Sequence, residues 1–345
     1  MGDCTRERDT MRSDNSRHLF SMGEFDLISR FFTRPATKAA LGVGDDCALL
    51  QPAPGMQIAI SSDMLVEGRH FLSTVDPRLL GHKALAVNLS DLAACGATPA
   101  AFTLALALPR AEPEWLAPFS EGLLALADEH GCELVGGDTT RGPLNICITV
   151  FGEVPRGQAL LRSGARPGDD IYVSGTLGDA RLALEAFRGT LSLPEAALVQ
   201  ARARMEQPIP RVALGVALRG VASAAVDISD GLLGDMGHVL RASGVGARID
   251  APMAIGLMAC LARHPDHAAW LSPARNLEYV LAGGDDYELM FTAPPAARGA
   301  VKGASIASQT IVTCIGRIEA ERGVRIADAQ GEVMPLAYAS FDHFA

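Results

Sequence analysis

The chain has 345 residues, of which 48% are hydrophobic and 20% are charged, and its formal net charge is −10. This balance is typical of a globular protein of about two domains, and no apolar run approaches the roughly 20 residues of a membrane span. A negatively charged chain repels a phosphate backbone unless a basic patch intervenes, and the sequence has none. We therefore expect neither nucleic acid nor a membrane as a partner.

The cysteines and the N-terminus indicate a reducing compartment. Seven cysteines are scattered along the chain, with no C-x-x-C pair and no histidines at zinc-finger spacing, which predicts reduced thiols. Residues 1–21 are polar and lack the apolar segment of a secretory signal. We expect a disordered tail or an N-terminal extension there, and a cytoplasmic location for the protein.

From residue 22 onward, the apolar spacing predicts alternating helices and strands. In the first half we expect helices at 25–32, 77–97 and 113–131, and strands at 47–52, 56–63, 102–109, 132–138 and 144–154. The second of these helices has Pro77 at its start and Gly96 just after its end, which are the usual positions of these residues.

The apolar pattern stops at "PRGQALLRSGARPGDD", where Gly, Pro and Arg dominate. This change predicts a boundary between an N-terminal domain at 22–155 and a C-terminal domain at 156–345. In the second half we expect strands at 170–175 and 222–229, helices at 179–187, 211–220 and 230–243, and a final αβ portion ending at 312–318. The fold class is therefore α/β, of the α+β type, with two domains in series.

Aspartates recur where charge is least expected, next to apolar runs. They are Asp45 and Asp46 in "LGVGDDCALL", Asp63 in "SSDML", Asp91 in "VNLSDLAA", Asp138 in "VGGDTTRG", and Asp227 and Asp230 in "VDISDGLLGD". Taken one at a time, each has a structural explanation, because an aspartate after a strand often caps the next helix or shapes a turn. Asp230 is the best N-cap candidate.

As a set, the aspartates predict a cation site. Two carboxylates about 4 Å apart repel by roughly 4 kcal/mol at an effective dielectric near 20, so a converging group requires bound cations. The candidate ligands are all oxygens, which favours Mg²⁺, an ion usually held by a few carboxylates together with substrate phosphates. Asn88 lies one helical turn before Asp91 and faces the same side.

Glycine-rich turns add a possible phosphate site, since their backbone N–H groups can approach an anion. They occur in "GVGDD", "VGGD", "VSGTLGDA" and "LAGGDD", and Arg141 and Arg162 lie in or just after such loops. Both arginines fit a phosphate clamp or a solvated surface equally well. The sequence has no Gly-Lys dipeptide, no H-R-D and no G-x-S-x-G, which excludes P-loop enzymes, protein kinases and serine hydrolases of those types.

Several motifs taken together resemble the thiamine-monophosphate kinase family. They are "GEFDLISRFF", "GVGDDCALL", "AISSDMLVEGRHF", "HKALAVNLSDLAACGATPA", "VGGDTTRGPL", "RSGARPGDDIYVSGTLGDA", "VDISDGLLGDMGHVL", "GGDDYELMFT" and "FDHF". The resemblance runs from about Gly23 to the C-terminus. The family belongs to an ATP-binding superfamily that also contains aminoimidazole ribonucleotide synthetase, selenophosphate synthetase and a hydrogenase maturation factor.

The resemblance implies a two-domain PurM-like fold, in which the N-terminal domain pairs with a second copy to form a barrel in a homodimer. It also implies transfer of the ATP γ-phosphoryl group to thiamine monophosphate by direct in-line transfer, with several Mg²⁺ ions and no covalent protein intermediate. No residue is assigned a catalytic role of its own, and the site is expected in the cleft between the domains.

The resemblance further implies roles for individual residues. The implied Mg²⁺ ligands are Asp46, Ser61, Ser62, Asp63, Asp91, Asp138, Asp227 and Asp230. The implied nucleotide contacts are Gly137, Asp138, Arg162 and Ser229, and the implied substrate contacts are His70, Asp285 and Phe341. Asp285 departs from the family, which usually has glutamate in "GGEDYEL", so its side chain is one methylene shorter.

Two alternative functions remain open at this level. One is another ATP-dependent synthetase of the superfamily, of the ring-closing or the selenophosphate type. Only Cys4 precedes the first motif, and the chain ends in "FDHFA", without the cysteine-bearing tail expected of the hydrogenase factor. The other alternative is a non-catalytic nucleotide-binding protein, for which we would expect missing acids.

Overall fold

The structure is a computed structural model, and it describes residues 23–264 and 266–335. Phe341 and the predicted N-terminal tail lie outside these residues. The elements of the first half are α1 (Glu24–Leu27), which continues into a π-helical turn (Ile28–Phe32), β1 (Met56–Val66), α2 (Pro77–Ala94), β2 (Thr98–Leu108), α3 (Pro113–His130), β3 (Glu133–Arg141) and β4 (Asn145–Pro155).

The second half begins with a strand and continues as alternating helices and strands. Its elements are β5 (Asp170–Ser174), α4 (Asp179–Phe187), α5 (Glu195–Glu206), α6 (Val212–Ala217), β6 (Ala224–Ile228), α7 (Leu232–Ser243), β7 (Gly246–Asp250), α8 (Ala251–Ile255), α9 (Ala259–Arg263), α10 (Pro273–Ala282), β8 (Glu288–Ala293), α11 (Arg298–Ala307), β9 (Val312–Glu319), β10 (Gly323–Ala327) and β11 (Val333–Met334), with short 3₁₀ turns at His267–Ala269 and Pro295–Ala297. The mixed α/β fold class is confirmed.

Two sheets organise the described chain. The first has the strand order β1-β4-β2-β3, and the second has the order β11-β10-β7-β9-β5-β8-β6. In the first sheet, β2 and β3 are parallel because α3 crosses over between them, whereas β4 pairs antiparallel with both β1 and β2. Strand β1 therefore lies at one edge of this sheet and β3 at the other.

Helix α2 joins the two sheets. It contacts β1, β2 and β4 on the N-terminal side, and α5, α6, β6 and β8 on the C-terminal side. Its side chains are buried nearly all round, from Leu80 to Ala93, as is usual for a helix that is apolar on every face. Polar groups on α2 are therefore buried between the two sheets, where each needs a partner.

Local signals set the ends of α2 as predicted. Asp76 caps its first turn by accepting a hydrogen bond from the Arg78 backbone N–H at 2.8 Å, and Pro77 takes the first helical position, where no N–H is needed. Gly96, just beyond the helix, has a φ of 66°, a left-handed conformation that glycine adopts without strain. The predicted helix at 77–97 is confirmed to within three residues.

The predicted strand at 47–52 is wrong. The chain forms only an isolated bridge between Leu41 and Leu49, and Leu49 remains 56% exposed. A short apolar run becomes a strand only when a neighbouring strand pairs with it, and β1 has its ladder partner in β4. The other predicted strands of the first half lie within β1, β2, β3 and β4, allowing one or two residues at their ends.

Candidate active site

Four of the predicted aspartates lie close enough to influence one another. We call Asp63, Asp91, Asp227 and Asp230 the acid cluster. They come from three elements and one turn: β1, α2, β6 and the segment between β6 and α7. The cluster therefore forms where the two sheets meet across α2.

The first half of the acid cluster lies between β1 and α2. The Ser61 hydroxyl donates a hydrogen bond to the Asp91 carboxylate, and the Asp63 backbone N–H donates to Asn88 Oδ1 at 3.0 Å. Asn88 and Asp91 share one face of α2, as their spacing predicts. Burial, together with the nearby charges of Asp91 and Asp230, raises the pKa of Asp63 to about 6.

The second half of the acid cluster comes from β6. Asp227 is buried, and its carboxylate accepts a hydrogen bond from the Ser90 hydroxyl of α2 at 2.8 Å. Burial and the neighbouring Asp91 raise the pKa of Asp227 to about 8. Burial also raises the pKa of Asp91, although the hydrogen bond from Ser61 opposes this effect. The protein thus holds these acids at a cost that a bound cation would offset.

The turn after β6 corrects one prediction. Asp230 is not the N-cap of α7, because Gly231 occupies that position with a φ of 111°. Asp235, in the first turn of α7, instead accepts hydrogen bonds from the backbone N–H groups of Ser229 and Asp230, both at 3.0 Å. This arrangement leaves the Asp230 carboxylate available to face Asp63.

The donors of the acid cluster are of the kind that Mg²⁺ prefers. These donors are all oxygens, burial raises the pKa values of three of the carboxylates, and repulsion from neighbouring acids adds to this effect at Asp63 and Asp227. In the part of the chain that the structure describes, no group of three or more His, Cys, Asp or Glu side chains forms a ready-made metal site. Mg²⁺ suits such a partial donor set, since it usually retains waters and phosphate oxygens as its remaining ligands.

Two predicted ligands lie apart from the acid cluster. Ser62 follows Ser61 on β1 and therefore points to the opposite face of the sheet, where its hydroxyl donates to the Ile148 carbonyl oxygen at 3.1 Å. Asp46 is exposed in the turn after Gly44, and its backbone N–H donates to Asp45 Oδ1 at 3.0 Å. The structure does not bring either side chain to the other acids.

Asp138 lies at the far edge of the same sheet. The ladder aligns Asp63 with Ile148, Ile148 with Leu104, and Leu104 with Gly137, the residue before Asp138. Three strand spacings separate the two edges, so the backbones at Asp63 and Asp138 are roughly 14 Å apart in one chain. Asp138 therefore belongs to a different part of the surface from the acid cluster.

Gly137 has a structural reason to be glycine, whether or not it contacts a ligand. Its φ is 148°, and a Cβ at this position would lie 1.9 Å from the Leu104 carbonyl oxygen. This close approach of β3 to β2 leaves no room for a side chain.

The predicted nucleotide contacts Arg162 and Ser229 lie beside the acid cluster. The charge of Arg162 acts on Asp91 and on Asp235, so its guanidinium group lies within electrostatic range of these acids. The Ser229 carbonyl oxygen accepts a hydrogen bond from the Asp285 backbone N–H at 2.7 Å. This bond links the end of β6 to the predicted substrate contact.

The predicted substrate contacts His70 and Asp285 are joined through Lys83. Lys83 Nζ donates to Asp285 Oδ2 at 2.5 Å and contacts the His70 carbonyl oxygen at 3.4 Å. His70 Nδ1 accepts a hydrogen bond from the Val66 backbone N–H at 3.0 Å, so the neutral ring carries its proton on Nε2. Burial raises the pKa of Asp285, although the ion pair with Lys83 opposes this effect.

One predicted anion site is closed by the protein itself. The Gly178 N–H at the start of α4 donates to both carboxylate oxygens of Asp286, at 3.0 and 3.1 Å. Asp179, in the first turn of α4, accepts from the backbone N–H groups of Ala259 and Cys260, both at 3.0 Å. The expectation of a phosphate at this helix N-terminus is therefore wrong, because a carboxylate already occupies it.

Four polar residues of the site region were missed at the sequence level: Lys83, Ser90, Asp235 and Tyr287. Lys83 and Ser90 interrupt the apolar helix α2, the same kind of signal that identified Asp91, and they could have been found in that way. Asp235 and Tyr287 carry no comparable local signal, since their partners come from other segments.

Family models of known proteins match both halves of the chain. The N-terminal domain of the AIR synthase related protein family matches residues 44–154, and its C-terminal domain matches residues 166–329. The class that the fold and the site define is therefore an AIR synthase related protein with two domains.

Individual relatives narrow this class. The chain is 45% identical to thiamine-monophosphate kinase of Salmonella typhimurium, over 94% of this chain and 98% of that protein. The crystal structure of thiamine-monophosphate kinase from Stenotrophomonas maltophilia K279a is 44% identical, with a TM-score of 0.78 over 90% of this chain and 96% of that chain. AaThiL complexed with AMPPCP and TMP is 29% identical, with a TM-score of 0.72 over 96% of this chain and 100% of that chain. This chain belongs to the thiamine-monophosphate kinase family.

Across residues 23–264 and 266–335, none of the helices has both the length and the apolar character needed to cross a membrane.

Proposed function

We propose that this protein transfers the γ-phosphoryl group of ATP to thiamine monophosphate and so forms thiamine diphosphate. The acid cluster is the observation that carries this proposal, because half-buried carboxylates from β1 and α2 and a buried one from β6 suit a cation-dependent phosphoryl transfer. Support also comes from the 45% identity to a thiamine-monophosphate kinase and from the relative complexed with AMPPCP and TMP.

The reaction follows from the charges involved. The acceptor phosphate is already anionic at neutral pH and needs little help from a general base, so the main barrier is repulsion between two anions. Mg²⁺ bound at the acid cluster would supply charge neutralisation between the two phosphates. In the proposal, Asp63, Asp91, Asp227 and Asp230 hold the metal together with the nearby Ser61, and the transfer is direct and in line.

Side chains around the acid cluster position the two substrates. Arg162 provides a guanidinium group for the nucleotide phosphates, beside the backbone of Ser229. His70 keeps its Nε2 proton while Nδ1 is engaged by Val66, so it is suited to donate a hydrogen bond to the acceptor rather than to act as a base. Asp285 and Phe341 are the other proposed acceptor contacts.

The remaining ligand assignments stay predictions. Gly137 and Asp138 are proposed to contact nucleotide or metal from the far edge of the sheet, and Asp46 and Ser62 are proposed ligands that need a rearrangement or a second chain. We also infer a homodimer: β1 is an edge strand with an exposed Ile60 and Met64, and an unpaired edge of this length favours association. A cytoplasmic location and a domain boundary at residue 155 complete the proposal.

The test is an acceptor-specific assay with purified protein, ATP and Mg²⁺. We expect thiamine monophosphate to give thiamine diphosphate and ADP in equal amounts. No product with this acceptor, together with ATP turnover on an aminoimidazole precursor or selenide, would identify another synthetase of the class. ATP binding without turnover on any acceptor would identify a non-catalytic nucleotide-binding protein.

A variant tests the acid cluster itself. Asp91→Asn is expected to reduce kcat by about a hundredfold or more, or to raise the Mg²⁺ requirement sharply, because it removes one negative donor while retaining the hydrogen bond from Ser61. Asp26→Asn, at an exposed position in α1, is the matched control and should leave the kinetics unchanged. Unchanged kinetics in a folded Asp91→Asn protein would mean that Asp91 is structural.

A further inference from the structure

Lys83 is a buried cation in the middle of α2, and only 2% of the residue is exposed. Its ammonium group donates to Asp285 Oδ2 at 2.5 Å and to the Met205 carbonyl oxygen at 2.9 Å, with the His70 carbonyl oxygen at 3.4 Å. A buried ammonium ion is tolerated only when its donors are satisfied. Three separate segments of the chain therefore fix the position of this charge.

The partner of Lys83 lies in a strained segment. Asp285 has a φ of 71° and Tyr287 a φ of 51°, although neither is glycine. Non-glycine residues in this conformation are strained and persist where the surroundings over-determine them. Here the Asp285 and Tyr287 backbone N–H groups donate to the carbonyl oxygens of Ser229 and Ile228, at 2.7 and 2.8 Å.

The Asp285 side chain is less buried than that of its partner. Its side chain is 32% exposed, whereas the Lys83 side chain is 3% exposed. The Tyr287 side chain hydrogen-bonds with Asp285 and lies within electrostatic range of Asp63 and Asp227. Tyr287 therefore lies between Asp285 and the acid cluster, while Lys83 holds the partly exposed side chain of Asp285.

A purely structural ion pair in the same region has a different form. Glu288 is 0% exposed and is enclosed by Arg204 and Arg211, each within 2.7 Å. Glu288 has neither a positive φ nor an exposed side chain, whereas Asp285, the partner of Lys83, has a positive φ and a partly exposed side chain. This difference argues for a role beyond stability.

We propose that Lys83 is a positioning residue that holds the Asp285 carboxylate for the acceptor substrate and balances its charge. This inference rests on the proposed function. A carboxylate suits the thiazolium cation and the amino group of thiamine monophosphate. Without the ammonium group, the same carboxylate would be free to turn and would add negative charge near the acceptor phosphate. Lys83 therefore controls the affinity for the acceptor and not that for ATP.

The test compares the Michaelis constants of the two substrates. Lys83→Met keeps the length of the side chain and removes its charge, and we expect it to raise the KM for thiamine monophosphate about tenfold while the KM for ATP stays within about twofold. Asp285→Asn should produce the same split, and the double variant should add little to either single change. Lys302→Met, at an exposed position on α11, should match the wild type.

A second variant covers the case in which Lys83→Met does not fold. Asp285→Glu keeps the charge and moves the carboxylate by one methylene, so it should change the KM for thiamine monophosphate at least about threefold and leave that for ATP unchanged. An equal change in both constants, or a loss of thermal stability with no change in the acceptor KM, would overturn the inference. A wild-type protein that does not phosphorylate thiamine monophosphate contradicts the proposed function, whereas an active wild type with an unaffected Lys83→Met contradicts only the role of Lys83.

Discussion

Replacing Glu288 with glutamine should unfold the C-terminal half of the protein at a markedly lower temperature. The Glu288 carboxylate is fully buried and accepts hydrogen bonds from Arg204, Arg211 and Ser174 at 2.6–2.7 Å. These partners come from α5, the start of α6 and β5, so one carboxylate holds three elements against β8. In Glu288→Gln, an N–H₂ group replaces one acceptor and faces guanidinium donors, which leaves two arginine charges without their counter-ion.

The magnitude follows from the burial of the group. Removing one partner of a buried ion pair costs about 3–5 kcal/mol. For a part of the chain of this size, each kcal/mol of lost stability lowers the midpoint of thermal unfolding by about 2–4 °C, so we expect this midpoint to fall by about 6–20 °C. Circular dichroism during heating and urea titration would measure it.

An exposed ion pair in the same protein provides the control. Arg78 and Glu121 are 3.2 Å apart, with side chains 60% and 62% exposed, so Glu121→Gln should change stability by less than about 0.5 kcal/mol. The reasoning would be refuted if the free energy of unfolding of Glu288→Gln were within about 1 kcal/mol of the wild-type value, or if Glu121→Gln lost as much stability as Glu288→Gln.

Two further predictions concern the first sheet. Burial raises the pKa of Glu133, but hydrogen bonds from the Thr37 hydroxyl and the backbone of residues 37–39 outweigh this effect and lower the pKa from 4.5 to about 2. The ionised carboxylate therefore contributes to stability above pH 4.5, and this contribution is lost as the pH falls toward 2. Glu133→Gln should lower the free energy of unfolding by about 1 kcal/mol at pH 7. In urea titrations at low pH, its stability should converge with that of the wild type. Gly137→Ala should lower the free energy of unfolding by at least about 2 kcal/mol, because the new Cβ would clash with the Leu104 backbone. Gly303→Ala, in open space on α11, should raise it by about 0.5–1 kcal/mol. Thermal midpoints that do not differ between these two variants would contradict the prediction.

Helix ends were predictable because their signals are local. Pro77 and Gly96 bracket α2 within the sequence itself, and the predicted helix at 179–187 coincides with α4. The strand expected at 47–52 failed for the opposite reason. Whether a short apolar run pairs depends on a partner that is distant in sequence, and β4 pairs with β1 instead.

The acids of the site were predictable as exceptions to an apolar pattern. Asp63, Asp91 and Asp227 each interrupt a run that ought to be buried, and all three are in the acid cluster. The sequence could not separate them from Asp138 or Ser62, because only the strand order reveals the far edge of the sheet and only the pleat reveals which face a side chain takes.

The polar residues of α2 contact both halves of the site from a single helix. Lys83 and Ser90 are seven residues apart and so share a face, and their partners are Asp285 and Asp227 of the C-terminal half. Asn88 and Asp91 are three residues apart and share another face, which meets β1 at Asp63 and Ser61.

The two faces have a mechanistic consequence. A small shift or rotation of α2 would change both sets of contacts together, because the helix is rigid and its buried faces are close-packed. The spacing between the acids proposed to hold the metal and the proposed acceptor contact therefore depends on α2. Since the acids repel one another without a cation, phosphate-bound Mg²⁺ would stabilise the same packing that positions Asp285. If the substrates bind as proposed, binding of the nucleotide would therefore be linked through α2 to the position of the acceptor contact.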